Sequence, residues 1–153
     1  MRAVVTRVKN ASVIINEQVN GQIGTGFLVL LGVGLQDTEE TAHHLAEKIC
    51  NLRVFEDENG KMNLSVNDIG GEILAISQFT LCADCKKGNR PSFTLSAAPD
   101  EANRLYELFC SELSANGVGN VEKGIFGADM AVDIANDGPV TIVLDTDIWR
   151  KDK

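Results

Sequence analysis

Four consecutive side chains carry most of the chemistry in this sequence. Ser77, Gln78, Phe79 and Thr80 follow an apolar run, Ile73, Leu74, Ala75 and Ile76. Such a run has the pattern of a buried strand. The chain therefore passes from a dry interior straight into two hydroxyls, an amide and an aromatic ring. That is the make-up of a pocket wall: hydroxyls and amide orient a polar ligand, and the ring covers its apolar or planar part. The same residues also suit a turn that caps a strand end. Thr80 qualifies as a nucleophile by type, but no base partner is evident for it, and a hydroxyl without an activating base is weak. Its first-ranked role is to position or hydrogen-bond a substrate.

The usual proton shuttle is missing. His43 and His44 are the two histidines, and Glu47 and Lys48 share their side of a helical pattern, which places them in solvent or at the edge of a buried face. There is no Gly-x-Ser-x-Gly elbow and no Ser-His-Asp set. Cys82-Ala83-Asp84-Cys85 has the spacing of a zinc knuckle or redox pair. A tetrahedral site needs two more soft ligands, and a redox pair wants a helix N-terminus; neither is evident. No metal and no cofactor are expected. A second polar stretch, Asn136-Asp137-Gly138-Pro139-Val140-Thr141, pairs a residue that permits close backbone approach with one that fixes local geometry. It is either a rigid wall or a turn entering the last strand.

The elements that must position these groups are legible by period. Residues 3–8 and 12–15 alternate as strands, a turn falls at Asn16-Glu17, and residues 18–23 complete a hairpin. Residues 27–33 form an apolar strand buried on both faces. Asp37 caps a helix with Glu40 three residues on, and Ala42, Leu45, Ile49 and Leu52 make its apolar stripe. Strands at 52–56 and 61–66 flank an Asn59-Gly60 turn. Residues 83–98 form a polar, irregular loop beside the candidate pocket. Pro99 opens a second helix with Asp100 and Glu101 in its first turn, Ala102, Leu105, Phe109 and Leu113 inward, and Gly117 at its end. Strands at 121–125, 130–134 and 140–144 follow, then a charged tail at 145–153 in which Trp149 is the one group able to dock. Strands and two helices in this order imply α/β layers in one domain spanning 1–153.

The chain has 153 residues, enough for one core without staples, and 44% of them are hydrophobic. The first residues show no apolar leader, and no apolar run can span a bilayer, so a cytoplasmic protein with no membrane partner is expected. The four cysteines are then thiols. A net charge of −8 argues against gripping long stretches of nucleic acid. Lys86, Lys87 and Arg90 nevertheless cluster, as a solvated loop or as a small patch for a few phosphates.

Taken together, Ser-Gln-Phe-Thr at 77–80 and Asn-Asp-Gly-Pro-Val-Thr at 136–141 resemble the two signature motifs of the D-aminoacyl-tRNA deacylases. The resemblance runs over nearly the whole chain. It includes Arg7-Val8 with Ala11-Ser12-Val13, Leu30-Leu31-Gly32-Val33, Lys61-Met62-Asn63-Leu64, Arg90-Pro91-Ser92-Phe93 and Phe126-Gly127-Ala128-Asp129-Met130. It implies a mixed, partly barrel-like sheet with both helices on one side, and a homodimer. It implies ester hydrolysis on D-aminoacyl-tRNA, and on mischarged glycyl-tRNA, with L-aminoacyl-tRNA rejected by the Gly-Pro wall. The catalytic stretch would be Ser77, Gln78, Phe79 and Thr80. Gly138 and Pro139, joined by a cis bond, would reach into the partner subunit's pocket, and Arg7 would help fix them. Phe126, Ala128 and Met130 would cradle the terminal adenine; the same residues also make an ordinary strand connection. The missing histidine keeps an alternative open: a non-catalytic dimeric module that binds nucleic-acid ends or another protein. A redox or zinc protein built on Cys82 and Cys85 is a third.

Overall fold

A computed structural model describes residues 1–149; the end of the charged tail, residues 150–153, lies outside the described residues. The chain runs β1 (Arg2–Ile15), β2 (Gln18–Ile23), β3 (Gly26–Gly32), α1 (Glu39–Asn51), β4 (Phe55–Glu56), β5 (Met62–Leu64), β6 (Glu72–Ser77), α2 (Pro99–Ala115), β7 (Val121–Lys123) and β8 (Ala131–Asp145). Short 3-10 turns follow β6 at Phe79–Cys82 and β8 at Thr146–Trp149.

The six-stranded sheet is mixed, in the order β2-β1-β3-β6-β7, with β8 on β1. Residues 2–8 of β1 pair with β3, residues 11–15 of the same strand pair with β2, and β8 runs along the opposite edge of both halves. A register shift at Val13/Ile14 and two against β8 bend β1, as bulges do. The two strand patterns at 3–8 and 12–15 are therefore one bent strand. The turn after it has positive φ at both Asn16 (50°) and Glu17 (65°), the conformation that matches strand twist in a two-residue hairpin.

The bend brings β2 round to β7. Asn20 Nδ2 donates to the Lys123 carbonyl at 2.9 Å, and Gly21 has no Cβ to strike that carbonyl. The result is a nearly closed, barrel-like sheet. Its interior holds Val8, Val13, Ile23, Leu28, Leu74 and Ile76. The other face carries both helices, over Val5, Phe27, Val29, Leu31, Ile73 and Ala75. β3 and β6 thus have dry surfaces on both sides, which is why their sequences show no polar alternation.

Further local expectations are corrected, among them the strand expected over 121–125, which ends at Lys123. Thr38, not Asp37, caps α1, in a reciprocal box with Thr41. Asp37 is buried, with Oδ1 at 2.5 Å from the Met1 ammonium and Oδ2 accepting Gly34 N–H at 2.6 Å. A cap bond contributes about 1 kcal/mol, whereas breaking a buried ion pair costs about 3–5 kcal/mol, so the ion pair takes the side chain. The strand expected over 52–56 shortens to Phe55–Glu56, and that over 61–66 to Met62–Leu64. Finally, the strands expected at 130–134 and 140–144 are one continuous strand, β8, from which the Gly-Pro segment loops out.

Candidate functional site

The Ser77–Thr80 stretch lies where β6 leaves the sheet. Gln78 N–H makes the last sheet-like bond, to the Leu31 carbonyl at 2.7 Å, and the chain then tightens into the Phe79–Cys82 turn. Two features seat that turn. Gly32 offers no Cβ; one built there would stand 2.9 Å from Leu81 Cβ and 3.1 Å from the Gln78 carbonyl. Arg2 Nη1 donates to the Leu81 carbonyl at 2.9 Å. The first amides of a 3-10 turn have no acceptor within it. Phe79 N–H and Thr80 N–H are therefore the donors that open this one. Gln78 Nε2 donates to Thr80 Oγ1 in a short contact, which leaves the Thr80 hydroxyl proton free to be donated onward.

No base activates Thr80: among the described residues its side-chain partner is Gln78. The histidines stand elsewhere on α1. His43 Nδ1 is 2.8 Å from Glu112 Oε2, and the His44 ring packs 5.5 Å from that of Trp149. Cys82 is buried under the turn, where burial raises its thiol pKa, while Cys85 is exposed. Raised pKa and burial make Cys82 a poor thiolate.

A cleft of about 540 Å³ opens at the end of β6. One wall is Ser77, Gln78 and Phe79; the facing wall is Phe126, Gly127, Ala128, Asp129 and Met130. Ala128 N–H closes a turn onto the Ile125 carbonyl at 3.1 Å, and Gly127 sits at φ +78° in it. Gly124 makes room for the facing wall, since a Cβ there would fall 2.5 Å from Met130 Sδ. Below, the Tyr106 ring lies 6.5 Å from Phe126 and its hydroxyl donates to the Ala75 carbonyl at 2.7 Å. That ties the cleft floor to the sheet, and burial raises the phenol pKa.

Ile76, Ser96, Ala97, Pro99, Ala102 and Val132 complete the cleft; sequence reasoning set the 83–98 loop beside the pocket but named none of these six as lining it. Pro99 and Ala102 were legible as the start of α2, but nothing local says that this helix end lies beside β6.

The second motif forms its own unit. β8 pairs Thr141 with Thr6 and Asn136 with Val8, so Asp137, Gly138, Pro139 and Val140 bulge out opposite Arg7 alone. Asn136 closes the bulge: its Oδ1 accepts Val140 N–H and its Nδ2 donates to Thr141 Oγ1, both at 3.1 Å. Gly138 is at φ +124°, and its bond to Pro139 is cis. Arg7 is only 6% exposed. It donates through Nε to the Asp137 carbonyl (3.1 Å) and through Nη1 to the Val54 carbonyl (2.7 Å). Gly138 and Pro139 themselves are exposed and do not line the cleft. Arg7 pairs with Phe27, and Ser77 with Leu31. Four residues of strand, about 13 Å at 3.3 Å each, separate the two motifs along the sheet. One protomer does not bring them together.

Comparison with known proteins places this architecture. The sequence model of the D-Tyr-tRNA(Tyr) deacylase family matches residues 4–145. The D-aminoacyl-tRNA deacylase of Staphylococcus carnosus is 58% identical over 95% of this chain and 96% of its own. That of Thermus aquaticus is 55% identical over 95% of each. Among solved structures, a c-Myc DNA Unwinding Element Binding Protein superposes with a TM-score of 0.90 at 46% identity, covering 95% of this chain and 98% of that one. A probable eukaryotic D-amino acid tRNA deacylase shares the fold at a TM-score of 0.81 and 18% identity, over 94% and 97% of the two chains. With a family match over most of its length and relatives above half identity, the chain belongs to the D-aminoacyl-tRNA deacylase family.

Proposed function

We propose that this protein hydrolyses the ester between a D-amino acid and the terminal ribose of tRNA, and that it takes mischarged glycyl-tRNA as well. The carrying observation is the cleft that faces Ser77–Phe79 across to Phe126–Met130. The terminal adenine enters between Phe126, Ala128 and Met130, and the ester carbonyl points to the amides of Phe79 and Thr80. Those donors are fixed before the substrate arrives, so they stabilise the developing oxyanion without reorganisation. A water oriented by the substrate's 2′-OH attacks the carbonyl carbon and gives up a proton, so that the amino acid leaves as the free acid. The carbon–oxygen bond to the 3′ position breaks and that oxygen takes the proton. Thr80, held by Gln78, positions these groups. The steps use backbone amides, hydroxyls and the substrate's own ribose, with no cofactor.

Chirality requires a wall on the side where an L side chain would project. Gly138 and Pro139 supply it from a second subunit. Support comes from three features: the unit is rigidly braced by Arg7, it is exposed, and it lies too far from its own cleft. β8 also carries apolar groups in solvent, Val143 at 70% and Ile134 at 46%, along an edge with no strand partner among the described residues. A long exposed apolar edge invites pairing with a second copy. No helix among the described residues is long and apolar enough to cross a membrane, and a protein acting on charged tRNA works in the cytoplasm.

The test is hydrolysis of matched D- and L-aminoacyl-tRNA bearing one side chain. Loss of the D ester with the L ester spared is the expected result. A second reading, a module that binds nucleic-acid ends without catalysis, draws on the 46%-identical protein, whose name is that of a DNA-element binder. Tight tRNA binding with neither ester cleaved would replace the enzyme by that module.

A further inference from the structure

The segment between the site turn and α2 has a composition unlike the rest of the chain. Residues 85–98 contain Lys86, Lys87 and Arg90 and no acid, in a protein of net charge −8. Reciprocal backbone bonds between Asp84 and Ser92, at 2.7 and 2.9 Å, make residues 85–91 leave and return as a small hairpin. Asp84 turns its carboxylate back on that hairpin, accepting Lys86 N–H at 2.9 Å. All three cations are exposed, and among the described residues none of them is in an ion pair. The hairpin base leads directly into Phe93. Its ring meets that of Phe79 edge to face, with centroids 4.9 Å apart and planes at 65°. Phe79 lines the cleft and is 52% exposed. Three cations outside any ion pair among the described residues thus sit on a hairpin that leads into the half-buried Phe93, whose ring backs the exposed, cleft-lining Phe79.

We infer that this hairpin is the track along which the single-stranded 3′ end of tRNA runs into the cleft. Lys86, Lys87 and Arg90 take backbone phosphates, and the base of a nucleotide preceding the terminal adenosine stacks on the Phe79–Phe93 pair. Cations that follow a backbone, alternating with rings that accept any base, are the general means of holding a single strand. The acidic remainder of the surface confines the grip to this end. The inference rests on the deacylase reading for what fills the cleft, but not on hydrolysis.

The test compares D-aminoacyl-tRNA with D-aminoacyl-adenosine, which has no phosphate or preceding base. The triple variant Lys86→Ser, Lys87→Ser, Arg90→Ser should raise KM for the tRNA ester roughly tenfold or more. It should also flatten the dependence of log KM on log salt by about 2, since each single-strand phosphate contact contributes roughly 0.7. The adenosine ester should be cleaved as by wild type. Phe93→Leu, which keeps the apolar bulk, should raise KM for tRNA about fivefold or more, and Phe93→Tyr should restore it, as stacking requires. An unchanged salt slope overturns the track. So does equal damage to both esters, which would mean that the loop acts on cleft shape. If wild type cleaves neither ester, the deacylase reading alone has failed. The salt slope for binding a non-hydrolysable, amide-linked aminoacyl-tRNA then decides the track: equal slopes in wild type and the triple variant reject it.

Discussion

At the scale of single residues, the proposed site uses side chains that orient the substrate and backbone amides that stabilise its oxyanion. Thr80 illustrates the division. Its hydroxyl receives a bond from Gln78 and meets no base among the described residues, so its proposed role is to position the substrate. Thr80→Ala is expected to keep measurable turnover, reduced roughly 10–100-fold, the worth of one well-placed hydrogen bond in a transition state. Single-turnover hydrolysis of D-aminoacyl-tRNA measures it. Abolished turnover with intact binding would instead make Thr80 the covalent nucleophile. Gly138 is the opposite case, a residue whose value is a missing atom. At φ +124° an L side chain is disfavoured, and a Cβ would lie 2.8 Å from Arg7 Nη2. Gly138→Ala should cost on the order of 1–3 kcal/mol of stability. It should also narrow the ratio of D to L hydrolysis; an unaltered ratio would remove Gly138 from the chiral filter.

Secondary-structure elements matter here through where they stop. β6 ends at Ser77 and β3 at Gly32. The turn that follows β6 folds back over that glycine. Leu81 Cβ and the Gln78 carbonyl are backbone-bound atoms that do not swing aside as a flexible side-chain tip does. Gly32→Ala should therefore lift the Phe79–Cys82 turn and misplace the two amides. The expected signature is a fall in kcat of about tenfold or more with KM for the tRNA ester little changed, because the cleft wall at 126–130, proposed to hold the adenine, is untouched. Steady-state kinetics separates the two parameters, and a change confined to KM would count against the amides as oxyanion donors. α2 is coupled to the same cleft. Its first turn lines the opening, while Tyr106, buried in mid-helix, anchors the floor to β6 through the Ala75 carbonyl.

For the molecule as a whole, the decisive question is whether two copies assemble one site. Val143→Asp places a charge on the more exposed of the two large apolar side chains that β8 leaves in solvent. If the Gly-Pro unit acts across subunits, this variant should sediment as a monomer and lose both activity and D/L selectivity. A monomer that still discriminates would confine the filter to one chain. Stability on the acid side follows from Glu72, at the junction of β2, β6 and β7. Its carboxylate accepts from Asn120 Nδ2 and from Gly24 N–H at 2.9 Å, and the Asn120 bond is the larger cause holding its pKa below the usual 4.5. A carboxyl with a lowered folded pKa stabilises above its unfolded value, and that stabilisation is lost as pH falls through the folded value. Thermal melting of wild type should decline below pH 4.5 more steeply than that of Glu72→Gln. Parallel curves would show that Glu72 does not drive the acid transition.

Elements whose signals are local could be read from residue order alone: period-3.6 stripes in α1 and α2, apolar runs in β3 and β6, and the Asn-Gly turn before β5. The two motifs were legible in the same way, because residue type and order survive without coordinates. Where side chains compete for partners far along the chain, the folded arrangement settles the outcome. Asp37 suited a cap until the Met1 ammonium claimed its carboxylate, and Thr38 inherited the role. Two apparent strands near each terminus are single strands, β1 and β8, since strand continuity depends on a neighbour's ladder and not on unbroken alternation. That same ladder expels Asp137–Val140 opposite Arg7, while the bend of β1 closes the sheet and carries 126–130 across to face Ser77. Proximity of this kind comes from pairing register and sheet curvature, which are properties of the folded whole and leave no trace in the spacing of the residues they join.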